Sequence, residues 1–294
     1  MPLFSKNVNL GAPLRVSSWR KIAIGSWRTA GDPSVYGVIE LDVEPALEYL
    51  ARINATSAAK TTLSHFVGKV VADTLALHPD LNCVLRFGKL YPRTDVDIFF
   101  QVATDAQGQD LSGVTVRQAD KKSIIEIATE LKSEVKQVRH AGDPRFKQTK
   151  KTMQLIPGFM VSTILNLLGF ILYSLNIWSP IFGAPKDAFG SCMITNIGTL
   201  GLGLALAPLI PYSRVPFLLS VGSVMDKPIV KDGQVRAGKV MQIGVTVDHR
   251  LIDGLRASFM AKYLQAYFAN PSGAFDKTGS HLPEKTKGIV FEPS

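Results

Sequence analysis

The residues best suited to chemistry lie in the stretch VTVDHRLIDG at positions 245–254. An apolar run typical of a buried strand leads there into a polar cluster, in which His249, Asp253 and Gly254 form the pattern H-x-x-x-D-G. A histidine at the end of a buried strand is held rigidly, and an imidazole can accept a proton under cellular conditions. The pattern therefore predicts that His249 is a general base, although a histidine taken alone is more often structural.

The segments around this stretch have the apolar spacing of a mixed α/β fold. Alternating or continuous apolar residues predict strands over 35–43, 87–91, 96–104, 114–118, 190–197, 217–224 and 240–247. Apolar residues at helical spacing predict helices over 44–54, 65–77, 123–138 and 257–268. The residues 231–234 (KDGQ) predict a hairpin turn, and the polar residues after Pro271 predict an extended tail.

The composition is that of one globular domain. The chain has 294 residues, of which 46% are hydrophobic and 19% charged, and its formal net charge is +9. A basic chain attracts anionic partners, but the sequence contains no nucleic-acid-binding motif. Cys83 and Cys192 form no C-x-x-C pair, which argues against a disulfide framework and against a zinc site. The N-terminus carries no apolar signal sequence, so a cytoplasmic protein is expected that binds neither metal nor nucleic acid.

One segment is so apolar that something must cover it. No charged residue occurs from 155 to 184, whereas basic residues flank this stretch, namely Arg145, Lys147, Lys150, Lys151 and Lys186. About 20 apolar residues can span a bilayer, but a single span would place the two halves of one domain on opposite sides of the membrane. Residues 157–180 are therefore predicted to lie on a membrane surface, to be buried between subunits, or to line a site for a long acyl chain.

The H-x-x-x-D-G pattern resembles the signature of the chloramphenicol acetyltransferase superfamily. That superfamily includes the catalytic domain of the dihydrolipoamide acyltransferases of 2-oxoacid dehydrogenase complexes. Further segments are similar to motifs of that domain and follow in the same order, namely 20–23 (RKIA), 78–82 (HPDLN), 98–104 (IFFQVAT), 192–198 (CMITNIG) and 221–233 (VGSVMDKPIVKDG). Several motifs in one order are far more specific than the histidine pattern alone.

This resemblance implies a fold and a division of the chain. It implies an α/β, chloramphenicol acetyltransferase-like two-layer sandwich, in which helices pack on a mixed sheet. Residues 20–270 would form the acyltransferase catalytic domain, with the apolar helical segment inserted at about 153–185. Residues 1–19 would form an N-terminal arm, and residues 271–294 would form a C-terminal tail.

The resemblance also implies the roles of single residues in a coenzyme A-dependent acyltransferase. His249 would take the proton from the thiol of coenzyme A or of another acyl acceptor. Thr195 would donate a hydrogen bond to the oxyanion that forms when the thiolate attacks the acyl carbonyl. Asn196, next to Thr195, would contact coenzyme A, and no metal would take part. Asp253 would hold the loop that carries the histidine.

The assembly and the acceptor follow from the same resemblance. Family members are trimers or multiples of trimers with active sites between subunits, so a homotrimer is implied. No lysine stands in a D-K-A or D-K-V lipoyl turn, and 108–116 (GQDLSGVTV) replaces the segment that lines the lipoamide side of the channel. A standalone acyltransferase without lipoyl group, lipoyl domain or subunit-binding domain is therefore expected.

The alternatives are a non-catalytic oligomeric scaffold and a membrane-associated binding protein. Arg20 and Arg28 both remain open as the ionic partner of Asp253.

Overall fold

The chain forms a mixed β-sheet with helices on one face. The computed structural model describes residues 4–15, 33–103, 111–141, 157–182, 185–231 and 233–282. In chain order the strands are β1 Ser5–Lys6, β2 Ser34–Asp42, β3 Cys83–Arg86, β4 Lys89–Pro92, β5 Ile98–Ala103, β6 Leu111–Val116, β7 Ile177–Trp178, β8 Cys192–Asn196, β9 Phe217–Lys231 and β10 Gln234–Asp248. The helices are α1 Glu44–Thr56, α2 Leu63–Leu77, α3 Ile124–Ala141, α4 Gly158–Gly169, α5 Gly254–Ala269 and α6 Pro271–Ala274, and a π-helical turn, Phe170–Ser174, follows α4.

The main sheet has six strands in the order β2–β10–β9–β8–β5–β6. Strand β8 is parallel to both of its neighbours, and the other pairs are antiparallel. Successive residues of a strand face opposite sides of a sheet. Accordingly, Ile194 and Leu219 belong to the large hydrophobic cluster on the helix side, whereas Met193 and Leu218 belong to a second cluster on the other side. The mixed sheet predicted from the sequence is confirmed.

Helices α1, α2 and α5 meet around one buried aromatic residue. The ring centroid of Phe66 in α2 lies 4.8 Å from that of Phe268 in α5 and 6.2 Å from that of Tyr49 in α1. All three side chains are buried. Burying a phenylalanine side chain stabilises a fold by about 1.5–3 kcal/mol. These rings therefore hold the three helices of the layer together.

The other face of the sheet is crossed by the extended segment 197–210. Thr246 Oγ1 in β10 donates to the carbonyl oxygen of Ala207 at 2.7 Å. A Cβ atom on Gly222 in β9 would lie 1.9 Å from the carbonyl oxygen of Gly203, so only glycine permits this close approach. The crossing carries the chain from the end of β8 back to the start of β9.

The strand predicted over 87–91 is wrong in its first two residues. Phe87 and Gly88 form the two-residue turn that joins β3 to β4, with φ of +46° and +74°. Two left-handed residues give a tight hairpin the twist that matches its strands. The strand therefore begins only at Lys89.

The sequence predicts an extended tail after Pro271, but in the structure these residues are not extended. They begin with the short helix α6, and Phe275 is buried with its ring centroid 5.2 Å from that of Tyr267 in α5. Phe275 also pairs with His281 across an isolated β-bridge. The hydroxyl of Tyr267 lies 3.0 Å from Nε2 of His281. Residues 271–282 therefore pack on the helix layer.

The apolar segment 157–180 is helical only in its first part. Helix α4 has 12 residues, and the π-helical turn has five. Asn176 then takes a φ of +57°, and its side chain bonds to both the N–H and the carbonyl of Val8. Strand β7 pairs with β1 directly afterwards, which ties the segment to the N-terminal arm. None of the helices in the described ranges is both long and apolar enough to cross a bilayer.

Candidate active site

His249 directly follows β10 and is held through its backbone and its ring. Its N–H donates to the carbonyl of Pro33 at 2.8 Å, and the N–H of Asp248 donates to the carbonyl of Pro216 at 2.8 Å. Ring nitrogen Nδ1 lies 3.0 Å from the carbonyl oxygen of Ile252. Because a carbonyl oxygen can only accept, Nδ1 carries the proton of the neutral ring and Nε2 has the lone pair. The half-buried imidazole is therefore arranged to accept a proton at Nε2.

The two residues that flank His249 form a buried ion pair. Arg250 Nη2 lies 2.6 Å from Asp248 Oδ2, and Arg250 Nε lies 2.9 Å from Oδ1. The side chains are 3% and 4% exposed, so the pair is screened little by solvent. Oδ1 also accepts from the backbone N–H of Arg250 at 3.0 Å. This two-point contact fixes the turn that carries His249. Sequence reasoning missed it, although the signal was present in the letters DHR.

Asp253 is the N-cap of helix α5. Its Oδ1 accepts from the backbone N–H of Arg256 at 2.9 Å, and its Oδ2 lies 3.1 Å from Arg256 Nη1. Arg256 Nε in turn donates to Asp80 at 2.8 Å. The Asp253 carboxylate therefore has an ionic partner three residues further along its own helix. Arg20 and Arg28, the two partners that the sequence left open, lie outside the described residues.

Thr195 and Asn196 end strand β8. Thr195 is half-buried and lies beside Ser220 of β9. The side-chain amide of Asn196 donates to Ser64 Oγ at 2.9 Å, and its oxygen accepts from the backbone N–H of Thr199 at 3.3 Å. Asn196 thereby connects the end of β8 to the first turn of helix α2.

His249 and Thr195 lie far apart within one chain. Thr195 is level with Ser220 in β9 and, across the next pair, with Gly244 in β10. His249 stands five residues beyond Gly244. At about 3.3 Å per residue and about 4.8 Å between strands, the separation is on the order of 19 Å. A base and an oxyanion donor must both lie within about 3 Å of the reacting atoms, so a single chain does not bring them together.

A pocket of about 480 Å³ lies at the Asn196 end of the sheet. Its polar lining includes Asn196, Lys60 and the hydroxyl groups of Thr61, Thr62 and Ser64. The first turn of α2 borders it, and the N-terminus of a helix favours negatively charged groups. Pockets of this volume hold small molecules or part of a larger one. The chemistry of the lining therefore fits an anionic ligand with hydrogen-bonding groups.

Two other candidate groups, Cys192 and His65, are unsuited to act in place of His249. Burial raises the pKa of the Cys192 thiol and lowers the pKa of His65 to about 4. Nδ1 of His65 instead accepts from the backbone N–H of Thr62, at the start of α2. Among the described residues, no three His, Cys, Asp or Glu side chains are grouped so that they could hold a metal ion.

One protein-family model matches most of the chain. The model of the 2-oxoacid dehydrogenases acyltransferase (catalytic domain) matches residues 20–149 and 185–275. The chain belongs to this family. The resemblance inferred from the motifs is thereby confirmed. The acyltransferase model leaves residues 150–184, which include the apolar segment, unmatched.

Relatives of this acyltransferase domain include dihydrolipoyllysine-residue acetyltransferase components of pyruvate dehydrogenase complexes. The proteins from Staphylococcus epidermidis and Staphylococcus aureus are 27% and 26% identical to it over 256 residues. The alignments cover 85% of this chain but 48% and 49% of those proteins. The chain thus spans about half the length of the curated relatives it matches.

Solved acyltransferase structures share the fold. The dihydrolipoamide acetyltransferase of Azotobacter vinelandii superposes with a TM-score of 0.60 at 21% identity. The alignment covers 89% of this chain and 93% of the Azotobacter chain. A truncated catalytic core of the 2-oxoacid dehydrogenase complex from Thermoplasma acidophilum superposes with a TM-score of 0.57 at 20% identity, and the alignment covers 89% of this chain and 99% of that one. A chloramphenicol acetyltransferase superposes with a TM-score of 0.50 at 14% identity, and the alignment covers 87% of this chain and 100% of that one. These similarities confirm the chloramphenicol acetyltransferase-like fold.

Proposed function

We propose that the chain catalyses coenzyme A-dependent acyl transfer with His249 as the general base. The observation that carries this proposal is the hydrogen bond from His249 Nδ1–H to the carbonyl of Ile252, which makes Nε2 the basic nitrogen. The imidazole stands at the end of a long strand and is flanked by a buried ion pair. A base that is held in one orientation loses little entropy when it meets its substrate.

The spacing of the functional residues in a relative supports the same assignment. The Azotobacter vinelandii enzyme has been studied for the roles of a serine, a histidine and an asparagine in its catalytic mechanism, and the asparagine stands four positions after the histidine. Asp253 stands four positions after His249. Because Asp253 caps α5 and pairs with Arg256, we assign it a positioning role. Thr195 supplies the hydroxyl group in place of the serine.

The reaction follows from these assignments. His249 Nε2 takes the proton of the substrate thiol, and the thiolate sulfur forms a bond to the acyl carbonyl carbon. The carbonyl oxygen becomes an oxyanion that accepts a hydrogen bond from the Thr195 hydroxyl, a contact worth about 3–4 kcal/mol in the transition state. The bond to the departing thiolate then breaks, and that thiolate takes the proton back from His249. No net proton or electron is consumed.

The site is completed by a second subunit. His249 and Thr195 are on the order of 19 Å apart in one chain, by the strand geometry given above. We therefore propose a cyclic homotrimer, or a multiple of it, in which His249 of one subunit faces Thr195 of its neighbour. The similarity to a structure described as the cubic core of a pyruvate dehydrogenase complex, with a TM-score of 0.59, supports an assembly of this kind.

The pocket beside Asn196 is assigned to coenzyme A. The Lys60 ammonium group is exposed at its edge, where it can face a phosphate, and the Ser64 hydroxyl, which accepts from Asn196, can itself donate a hydrogen bond. The volume of about 480 Å³ suits part of a coenzyme A molecule and leaves the remainder in solvent. Asn196 would contact this substrate while its bond to Ser64 keeps the pocket wall in place.

We further infer that residues 157–180 lie against an apolar boundary in the assembled protein. The family model leaves them unmatched, and several of their apolar side chains are exposed. The cytoplasmic location remains a prediction from the sequence.

An acyl-exchange assay tests the proposed reaction. The purified protein is mixed with acetyl-coenzyme A, or with a series of longer acyl-coenzyme A compounds, and with dihydrolipoamide as a thiol acceptor. Acyl-dihydrolipoamide and free coenzyme A should appear in equal amounts. A protein that transfers no acyl group from any of these donors, while keeping its oligomeric mass, is the scaffold of the alternative hypothesis and contradicts the proposal.

A further inference from the structure

Five exposed apolar side chains surround the π-helical turn. Phe87, Leu167, Phe170, Leu175 and Ile177 are between 39% and 67% exposed. We call these five residues the apolar face. Their side chains come from the β3–β4 turn, from helix α4 with its π-helical turn, and from the residues that lead into β7. The sequence placed four of them in the apolar segment but gave no reason to add Phe87.

Direct contacts join the β3–β4 turn to the π-helical turn. The rings of Phe87 and Phe170 meet edge to face with their centroids 6.2 Å apart. Arg86 Nε donates to the carbonyl of Ser174 at 2.9 Å, which holds the hairpin turn against the π-helical turn. Ile177 pairs with Lys6 across the β1–β7 ribbon. The two turns are therefore in contact, and Ile177 follows the π-helical turn by three residues along the chain.

The patch is rigid because the inward side of the same turn is buried. Leu172 and Tyr173 are 7% and 3% exposed and form a small core with Val8 and Val84. The exposed side chains of the apolar face do not belong to that core. The turn therefore presents its outward residues in fixed positions, although their exposure adds nothing to the stability of the monomer.

Basic residues border the apolar face. Lys6 stands opposite Ile177, Arg86 binds the carbonyl groups of residues 174 and 175, and Lys89 follows the Phe87–Gly88 turn. Both lysines are exposed. The whole stretch from 155 to 184 contains no carboxylate. Apolar side chains next to cations suit the interface of an anionic membrane, where each cation contributes about a fivefold change in partitioning.

We propose that the apolar face docks the protein on an anionic membrane surface. This inference develops the proposal that residues 157–180 lie against an apolar boundary, and it does not depend on the acyl-transfer chemistry. A lipid surface is favoured over a second copy of the chain because the family model, which covers the parts shared with oligomeric relatives, leaves most of this face unmatched. With 12 residues, α4 is too short to cross the bilayer, so it lies in the interfacial plane.

Docking in this way gives the sheet a definite orientation. A Cβ atom on Gly169, at the end of α4, would lie 3.4 Å from Tyr212. The chain reaches Pro216 four residues later, and its carbonyl accepts the N–H of Asp248, next to His249. The apolar face therefore lies on the His249 side of the molecule, away from the pocket beside Asn196. An acyl acceptor held in the membrane would approach from the side of the base.

Vesicle co-sedimentation tests the proposal. The probes are vesicles of equal parts phosphatidylcholine and phosphatidylglycerol, and vesicles of phosphatidylcholine alone. The apolar variant combines Phe87→Asn, Leu167→Ser and Phe170→Ser, with asparagine chosen because it tolerates the left-handed backbone at position 87. Leu172 is left unchanged because it is buried. The matched control replaces Val230 and Val235 by serine, since both are 73% exposed on the β9–β10 hairpin.

A second pair of variants separates charge from apolar contact. Lys6→Glu combined with Lys89→Glu reverses the border of the face, whereas Lys132→Glu combined with Lys136→Glu makes the same change in net charge on helix α3. Wild type should sediment with the anionic vesicles and much less with the neutral ones. The apolar variant and the Lys6/Lys89 variant should each bind at least about tenfold more weakly, and both controls should bind as wild type does.

Oligomeric mass and acyl transfer without vesicles are measured on the same samples. Both should be unchanged in the face variants, so a failure of the acyl-transfer proposal would appear separately, in wild type. The docking proposal is overturned if wild type binds neither kind of vesicle, or if the controls lose as much binding as the face variants. It is equally overturned if the apolar variant loses oligomeric mass, because a second copy of the chain then covers the face.

Discussion

The two ends of the central sheet are built differently, although both are proposed to act on one substrate. At the His249 end, the polar groups are paired within the chain. Asp248 and Arg250 form a buried ion pair, and the imidazole donates a hydrogen bond to the carbonyl of Ile252. At the other end, Thr195 is only half-buried, and its neighbour Asn196 lines a pocket. The base is thus oriented by its own chain, whereas the oxyanion donor is left accessible to a neighbouring subunit.

The largest effect is expected at the closed end, from His249→Ala. Removing the base should lower the rate of acyl transfer by about 10²–10⁴-fold. The side chain lies after the strand and is half-buried, so little packing is lost and the oligomeric mass should not change. Steady-state acyl transfer and light scattering measure the two quantities. Unchanged turnover in this variant would remove His249 from the mechanism.

The buried pair beside His249 should contribute to stability as well as to orientation. Arg250→Met leaves the Asp248 carboxylate buried without its partner, which should cost about 3–5 kcal/mol in the free energy of unfolding. The double variant Asp248→Asn/Arg250→Met removes both charges and should recover part of this loss. Urea unfolding measures all three proteins. An Arg250→Met protein as stable as wild type would mean that the pair does not fix the turn.

At the open end, Thr195→Ala should lower kcat by about 10²–10³-fold and leave KM for coenzyme A nearly unchanged. The hydroxyl acts on charge that appears only in the transition state. Thr195→Ser keeps the hydroxyl group and should retain most of the activity, so it is the matched control. Equal rates for the alanine variant and wild type would make Thr195 an ordinary strand residue.

The smallest effect is expected from Asn196→Ala, in the wall of the pocket. The loss of its bond to Ser64 should raise KM for coenzyme A by about tenfold, which corresponds to about 1.4 kcal/mol, with little change in kcat. Thr199→Ala leaves the Asn196–Ser64 bond intact and serves as the control. A change in kcat without a change in KM would place Asn196 in the chemical step rather than in coenzyme A binding.

Local patterns in the sequence predicted the elements that carry the candidate site. The apolar run at 240–247 placed His249 after a strand, and β10 ends at Asp248. The turn at Phe87 is not predicted by the apolar pattern, and its local signal is the glycine that follows. The N-cap rule predicts that Asp253 accepts from the backbone N–H three residues ahead, at Arg256. Arg20 and Arg28, the ionic partners that the sequence leaves open, lie outside the described residues.

Contacts between distant segments could not be predicted from these patterns. Asn196 and Ser64 are 132 positions apart, and Asn176 and Val8 are 168 positions apart. Such contacts depend on how the sheet orders its strands, and the spacing of apolar residues within one segment contains no information about that order. The same limit applies to the separation of His249 and Thr195, which follows only from the register of three strands.

Subunit mixing tests most directly whether two subunits share one active site. The inactive variants His249→Ala and Thr195→Ala are co-expressed in equal amounts, so that mixed oligomers form. In a ring where one subunit gives the histidine and the next gives the threonine, about a quarter of the sites then contain both intact residues. The mixture is expected to regain about that fraction of wild-type activity. A mixture that contains mixed oligomers but is no more active than its two parents would contradict a site shared between subunits.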